Sequence, residues 1–197
     1  MKQMEIRLAK VSDLDMIVEI HYSRFSNFFL TTLGKKFLKT FYKAFLKEPG
    51  ILIVLLDNGC IKGFAAGSRS NQNFFKKLLK NNFFGFIYSG IQIIFTNPKA
   101  LKRIFSNTKK SEEIALEYSE LLSIATVLNK KGYGKVLLDS FEKEVALKNE
   151  ESLSLSLTTD YDNNDKAVKF YKDCGYEVLE IFESYQKRKM YRFIKNI

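Results

Sequence analysis

The chain has 197 residues, yet it contains no tryptophan, only two prolines, two cysteines and one histidine. Cys60 and Cys174 lie far apart and form no Cys/His cluster, so the sequence supports neither a disulfide framework nor a structural zinc site. We expect both to be small buried side chains in a reducing cytoplasm. No apolar run is long enough to span a membrane. The basic residue Lys2 near the N-terminus is also not followed by the apolar stretch that a signal peptide contains. We therefore expect no transmembrane helix and no secretory signal.

Acidic residues are missing from one long stretch, since none occurs between Asp57 and Glu112. The formal net charge is +10, and residues 69–110 contain nine basic residues, which leaves +1 for the rest of the chain. The nine are Arg69, Lys76, Lys77, Lys80, Lys99, Lys102, Arg103, Lys109 and Lys110. The positive charge belongs to one segment, which makes a general nucleic-acid-binding protein a poor interpretation.

Residues 70–111 have the composition of a basic, aromatic insertion. Apolar residues between Phe74 and Leu79 alternate with lysines, as in an amphipathic helix, and Asn97-Pro98 is typical of a helix start. We predict a helical insertion within a single domain that covers residues 1–197. The alternatives for its role are a layer packed on the sheet, a lid, a dimer surface and an element in peripheral contact with a membrane.

Outside this insertion, segments in which apolar residues have the spacing of a strand alternate with segments in which they have the spacing of a helix. Hydrophobic residues make up 46% of the chain and charged residues 27%, as in globular proteins. The small residues of the strand at Gly63–Gly67 predict that another backbone or a ligand lies close to it. Strands are predicted at 5–8, 51–56, 60–67, 114–127, 152–158, 176–185 and 187–194, and helices at 12–25, 33–47, 134–148 and 164–174.

The segment Thr126-Val-Leu-Asn-Lys-Lys-Gly-Tyr-Gly-Lys135 joins a predicted strand to a predicted helix. Its glycines allow the backbone amides of residues 131–135 to converge on an anion, and the helix dipole and three lysines add positive charge. A pyrophosphate is the ligand that such a turn suits, although the same turn also occurs as a plain tight connection. The pattern is neither a complete Rossmann fingerprint nor a Walker A loop.

A second pattern begins at Asn164 and ends at Gly175-Tyr176. Ala167, Phe170 and Tyr171 share one helix face, because they are spaced at i, i+3 and i+4. A small residue, an aromatic ring and a phenol on one face could hold an arm that carries a thiol. Tyr171 by itself fits an aromatic residue at the edge of the core as well as a proton donor.

Together the two patterns resemble the motifs of the GNAT N-acetyltransferase superfamily. Asn129-Lys-Lys-Gly-Tyr-Gly134 is similar to its acetyl-CoA loop, Gln/Arg-x-x-Gly-x-Gly/Ala. Asn129 replaces the usual Gln or Arg, and the preceding stretch is about two residues short and lacks its common proline. Asn164-x-x-Ala-x-x-Phe-Tyr-x-x-x-Gly-Tyr176 is similar to the family's following motif. The resemblance covers most of the chain except about residues 70–111.

The resemblance implies an α/β fold with a mixed, mostly antiparallel central sheet of about seven strands, flanked by helices and carrying a helical insertion between strands 3 and 4. It further implies that strands 4 and 5 splay apart and admit the pantetheine arm of acetyl-CoA, with no metal. The residues implied to bind acetyl-CoA are Ala125, Thr126, Val127, Asn129, Lys130, Lys131, Gly132, Tyr133, Gly134, Lys135, Asn164, Ala167 and Phe170.

The same resemblance implies roles in direct acetyl transfer to an amine. Glu120 occupies the strand position at which several family members carry the general base, and Glu117 is the alternative; each also fits a solvated strand carboxylate. Tyr171 matches the position that protonates the CoA thiolate, and the amide of Ala125 or Thr126 would hold the thioester carbonyl. We expect His21 to be a helix-surface residue, with a role at the acceptor site as the alternative.

The function expected from these residues is an acetyl-CoA-dependent N-acetyltransferase that acts on a primary amine of a small molecule. The basic insertion suits an anionic acceptor, such as a nucleotide-linked amino sugar. The alternatives are a non-catalytic GNAT-like binding module and a basic protein that binds nucleic acid or a membrane surface. A homodimer is also compatible with the sequence.

Overall fold

The computed structural model describes residues 4–72, 74–82, 85, 117–127, 132–147, 154–184 and 187–197. Strands and helices alternate along these ranges, close to the positions that the sequence predicts. The strands are β1 (Met4–Leu8), β2 (Gly50–Asp57), β3 (Cys60–Ser68), β4 (Ser119–Thr126), β5 (Ser154–Asp160), β6 (Glu177–Glu183) and β7 (Lys189–Asn196). The helices are α1 (Leu14–Arg24), α2 (Phe29–Thr32), α3 (Lys35–Ala44), α4 (Phe74–Asn81), α5 (Tyr133–Ala146) and α6 (Asp165–Asp173).

The seven strands form one mixed sheet in the order β1-β2-β3-β4-β5-β7-β6. Every neighbouring pair is antiparallel except β4 and β5, which run parallel. This confirms the mixed, mostly antiparallel sheet that the resemblance implies. The helix predicted at the start of the insertion is present as α4, whereas residues 73, 83–84 and 86–111 of the insertion lie outside the described residues.

Two apolar cores lie on opposite faces of the sheet. The first is formed by α1, α3 and α4 against one face, and the second by α5 and α6 against the other. The apolar spacing of α3 explains its place, because Phe37, Leu38, Phe41 and Tyr42 are buried while its lysines face solvent. The cores determine which residues of β4 reach each side of the molecule.

A β-bulge in β4 determines which of its residues face each core. Ala66 of β3 pairs with Ser123 and Gly67 pairs with Leu121, so Leu122 is the extra residue of β4. A Cβ atom at Gly67 would collide with the carbonyl oxygen of Glu120 and would lie 2.6 Å from Phe141 Cζ. The prediction that another backbone lies close to this strand is therefore confirmed.

The parallel strands β4 and β5 pair only over Ser119–Leu121 and Leu155–Leu157. Beyond these residues β4 continues to Thr126 and β5 continues to Asp160 without pairing. The two strands therefore part toward their carboxyl ends and leave a gap in the sheet. The splay expected between strands 4 and 5 is confirmed.

The two cysteines differ in their exposure to solvent. Cys60 is exposed, so the expectation that both cysteines are buried is wrong; it is the first residue of β3, directly after the β2–β3 turn. Cys174 is half-buried. Within the described ranges, none of the helices combines the length and the apolar character that a membrane crossing requires.

Candidate active site between β4 and β5

A pocket of about 280 Å³ opens where β4 and β5 part. It brings together the end of β4, the start of α5, one face of α6 and the last turn of α1. Its lining residues are Arg24, Phe25, Ile124, Ala125, Thr126, Gly134, Phe170 and Tyr171. The two sequence patterns, which lie about 35 residues apart, thus meet at one cavity.

The backbone of β4 forms one wall of this pocket. The amide of Val127 donates to the carbonyl oxygen of Lys62, 2.8 Å away, at the β3 side of the strand. Successive residues of a strand direct their amide and carbonyl groups to opposite sides, so those of Ala125 also point toward β3. The backbone groups of Ile124 and Thr126 then point toward the gap left by β5. Of the two amides that the resemblance suggests, this register favours Thr126 as the donor to an oxygen in the pocket.

The amino end of α5 faces the same pocket. Gly132 has φ +92°, a conformation that residues with a side chain rarely adopt, and a Cβ there would meet nothing within 4 Å. The amide of Val136 donates to the Gly132 carbonyl oxygen, 3.1 Å away, and so begins the helical hydrogen-bond pattern. The amides of Gly134 and Lys135 therefore point out of the helix end, where the dipole favours an anion. The predicted contributors Asn129, Lys130 and Lys131 lie outside the described residues.

Helix α6 forms the opposite wall through Phe170 and Tyr171. A Cβ on Gly134 would lie 3.7 Å from Phe170 Cζ, an ordinary contact distance, so the start of α5 and the face of α6 lie side by side at the pocket. Tyr171 is 9% exposed, and its burial raises the pKa of its phenol to about 12. The hydroxyl is therefore protonated at neutral pH and able to donate a proton into the pocket.

Other residues implied to bind acetyl-CoA have side chains engaged elsewhere. Tyr133 is buried, and its hydroxyl donates to Asp57 at the end of β2. Lys135 is exposed and lies 3.2 Å from Asp139. Asn164 donates to Thr159 and to the Asp160 carbonyl oxygen, which ties the start of α6 to β5. For Tyr133 and Asn164 the backbone is the part that could contact a ligand, whereas in Lys135 it is the backbone or the exposed side chain.

Ala167 and Val127 also lie beside the pocket rather than in its lining. Ala167 is half-buried and packs against the second core, whereas Val127 packs against the first. Their predicted contact with acetyl-CoA stays a prediction.

Glu120 lies on β4 at the level where β4 and β5 still pair. Its neighbour Leu121 belongs to the second core, so the Glu120 side chain points to the opposite face, the side on which α1 packs. The carboxyl group is half-buried, and desolvation raises its pKa, although the charge of Arg192 acts in the other direction. A raised pKa favours a group that takes up a proton near neutral pH.

Arg192 of β7 organises the surroundings of Glu120. Its Nε donates to Glu180 Oε1 and its Nη1 donates to the Tyr118 hydroxyl, each at 2.7 Å. Among the described residues, Arg192 forms its ion pair with Glu180 and not with Glu120. Glu117, the alternative base, is exposed before the start of β4 and accepts a long hydrogen bond of 3.4 Å from Ser70.

The last turn of α1 contributes to the lining of the pocket, which the sequence did not predict. Arg24 and Phe25 line the pocket, although no local pattern distinguishes them from other residues at a helix end. The expectation that His21 lies on the helix surface is wrong, because His21 is 2% exposed. Its Nδ1 forms a 2.6 Å hydrogen bond with the Tyr42 hydroxyl, and its ring lies 4.9 Å from that of Phe25.

Tyr42 connects this histidine to the sheet. It is fully buried in α3 and is hydrogen-bonded to Ser123, next to the bulge of β4. Burial lowers the pKa of His21 to about 4. The hydrogen-bonded series His21, Tyr42 and Ser123 thus links α1, α3 and β4 through neutral groups beneath the pocket.

This burial predicts a loss of stability in mild acid. The unfolded histidine takes up a proton at about pH 6.5, whereas the folded one resists protonation until about pH 4. The contribution of His21 to the free energy of unfolding is therefore fully present above pH 6.5. It declines by about 3 kcal/mol in all as the pH falls toward 4. Urea unfolding between pH 7.5 and 4.5 measures the slope of the free energy of unfolding against pH. The same measurement on His21→Gln gives the slope without this histidine, and the difference between the two is the contribution of His21. Parallel slopes in the two proteins would show that folding leaves the pKa of His21 unchanged, which contradicts this prediction.

No group of three or more His, Cys, Asp or Glu side chains within the described residues is arranged to hold a metal ion.

Comparison with known proteins gives matches among solved structures. No family model and no curated protein matches the sequence. An acetyltransferase of the GNAT family from Streptococcus pneumoniae matches with a TM-score of 0.60 and 16% identity over 99% of both chains. Arabidopsis thaliana NAA60 in complex with acetyl-CoA matches with a TM-score of 0.62 and 14% identity over 99% of both chains.

A third match is the ribosomal-protein-alanine N-acetyltransferase from Brucella melitensis, with a TM-score of 0.63 and 13% identity over 98% of this chain and 99% of that one. At these identities the likeness concerns the fold, which is that of the GNAT acetyltransferases. The resemblance found in the two sequence motifs is confirmed at this level.

Proposed function

We propose that this chain, which has the GNAT fold, is an acetyl-CoA-dependent N-acetyltransferase that acts on the primary amine of a small molecule. The observation that carries the proposal is the meeting of both motifs at the pocket between the parted strands β4 and β5. An anionic amino sugar is the acceptor that the basic composition of residues 69–110 suits.

The residues present fit acetyl-CoA. The amides of Gly134 and Lys135 at the amino end of α5 would bind its phosphates, because oriented amides and a helix dipole stabilise negative charge. Gly134 keeps the space beside Phe170 open, and a side chain there would occupy it. The unpaired edge of β4 at Ile124 and Thr126 offers backbone hydrogen bonds to an extended arm, as an added strand would use them.

Acetyl-CoA, when bound, supplies an activated acetyl thioester. The Thr126 amide is placed to donate a hydrogen bond to the oxygen on which charge develops. The Tyr171 hydroxyl is the donor of a proton to the sulfur atom that departs. Glu120 accepts the proton that the amine must lose; it lies below the pocket, at the level where the strands still pair, so this proton reaches it through water.

The test is acetyl transfer to a panel of amines, read as release of free CoA. The panel holds nucleotide-linked amino sugars, polyamines and peptides with free amino termini. We expect turnover with at least one amine and a fall of about 10²–10³-fold in Glu120→Gln. The acid limb of the pH profile should also disappear in that variant, since it reports ionisation of the base.

Glu117→Gln, three residues earlier and before the start of β4, is the matched control, and a loss of the acid limb in that variant instead would assign the base to Glu117. Absence of transfer to every amine, in a protein that remains folded, would contradict the proposed function.

A further inference from the structure

Arg24 is the one charged side chain among the described residues that line the pocket. We infer that the acceptor amine carries a carboxylate or phosphate group and that Arg24 binds this group. The inference rests on the proposed function and defines the chemical class of its substrate. Three features of the structure support it: the state of Arg24, the charges around the pocket and the side of the sheet on which Arg24 lies.

Among the arginines that the structure describes, Arg24 differs in having no ion pair with a described carboxylate. It lies exposed in the last turn of α1, and no carboxylate within the described residues pairs with it. The other arginines that the structure describes each have an acidic partner. These pairs are Arg7 with Asp13, Arg69 with Glu144, Arg188 with Asp160, and Arg192 with Glu180.

A guanidinium group favours a bidentate contact with a planar carboxylate or with phosphate oxygens. A favourable interaction with the dipole at the carboxyl end of α1 accounts for a basic residue there, but it is worth only a few tenths of a kcal/mol to about 1 kcal/mol. It does not account for the presence of this residue in the lining of the pocket. The side chain is therefore available to bind an anion without first breaking an internal ion pair.

Two carboxylates on the strands beside the pocket are engaged by arginines and are not available to a polycationic acceptor. Among the described residues, none that lines the pocket is Asp or Glu. On the neighbouring strands Arg188 holds Asp160 and Arg192 holds Glu180, so neither carboxylate is free to bind a cation. A substrate with several positive charges would meet Arg24 without compensation, whereas an amine with an attached anion would gain from it.

Arg24 also lies on the side that an acceptor would use. Helix α1 packs in the first core, and α5 and α6 pack in the second, on the other face of the sheet. The amino end of α5, where the phosphates of acetyl-CoA would bind, is therefore across the sheet from Arg24. Glu120 points to the same side as α1, so the proposed base and Arg24 face the same substrate.

The experiment compares matched amines that differ only in the anionic group. The pairs are glucosamine with glucosamine 6-phosphate, ethanolamine with phosphoethanolamine, and tyramine with tyrosine, which separates phosphate from carboxylate. For at least one pair the wild-type protein should show a kcat/KM about 10-fold or more higher for the anionic member. Arg24→Gln should remove this preference by lowering kcat/KM for the anionic member to about the value of the neutral one.

Two further variants sharpen the test. Lys36→Gln, an exposed lysine on α3, removes one positive charge away from the pocket and should leave the preference intact. Arg24→Lys keeps the charge but not the bidentate geometry, and it should retain only part of the preference. The Kd of acetyl-CoA should be the same in all four proteins.

Equal kcat/KM values for every pair would overturn the inference and leave the proposed function standing. A weaker Kd for acetyl-CoA in Arg24→Gln would also overturn it, because Arg24 would then bind the coenzyme. Absence of transfer to every amine would overturn the proposed function, and the inference with it.

Discussion

Replacing Tyr171 by phenylalanine should lower kcat by about 10²–10³-fold while leaving the Kd of acetyl-CoA within about twofold of the wild-type value. Tyr171 lines the pocket, and burial raises the pKa of its hydroxyl to about 12, so the hydroxyl carries its proton at neutral pH. The ring of Tyr171 packs among Phe170, Tyr176 and Phe193, and phenylalanine keeps these contacts. The substitution therefore removes the acid and little else.

Tyr176→Phe is the matched control for this experiment. Tyr176 lies just after α6, is buried and donates to Glu142 Oε1 at 3.0 Å, outside the lining of the pocket. Its replacement should cost about 1 kcal/mol of stability and leave kcat unchanged. Equal kcat values in Tyr171→Phe and the wild-type protein would rule out the role of Tyr171 as the acid.

Gly67→Ala should destabilise the fold by about 3 kcal/mol, which corresponds to a fall in Tm of about 8 °C for a chain of this size. The added methyl group would overlap the carbonyl oxygen of Glu120 and lie 2.6 Å from Phe141 Cζ. Neither neighbour can move easily, since one is the backbone of a central strand and the other is a fully buried ring of α5. The bulge of β4 would have to shift, and Glu120 with it.

Gly134→Ala is the control for stability. A Cβ at Gly134 would lie 3.7 Å from Phe170, an ordinary contact, and alanine favours a helix over glycine by up to about 1 kcal/mol. Its Tm should therefore equal or exceed that of the wild-type protein. Thermal unfolding followed by circular dichroism measures both variants, and equal Tm values for Gly67→Ala and Gly134→Ala would show that β3 and β4 are not packed this closely.

Periodicity and turn chemistry in the sequence are sufficient to predict most strands and helices. The Asp57-Asn58-Gly59 turn, with positive φ at Asn58 and Gly59, joins β2 to β3 as predicted. The two motifs predict the α5 and α6 walls of the pocket, because each motif is local and has a definite helix position. Gly175, at φ +86°, ends α6 as a left-handed cap requires.

Features that depend on contacts between distant segments were not predictable in the same way. The bulge at Leu122 depends on the match between β3 and β4, whose sequences give no local signal for an extra residue. The position of Arg24 at the pocket depends on how α1 packs across β3 and β4. His21 looks like a polar surface residue in the sequence, yet its hydrogen bond to Tyr42, 21 residues away, allows it to be buried.

The most direct test of the central claim is a crystal structure of the protein with acetyl-CoA. The account predicts that the pantetheine arm lies between β4 and β5, with the thioester oxygen about 3 Å from the Thr126 amide and the pyrophosphate at the amino end of α5. It also predicts that the sulfur atom lies within reach of the Tyr171 hydroxyl. Acetyl-CoA bound elsewhere, or a gap between β4 and β5 filled by the protein's own side chains, would contradict it.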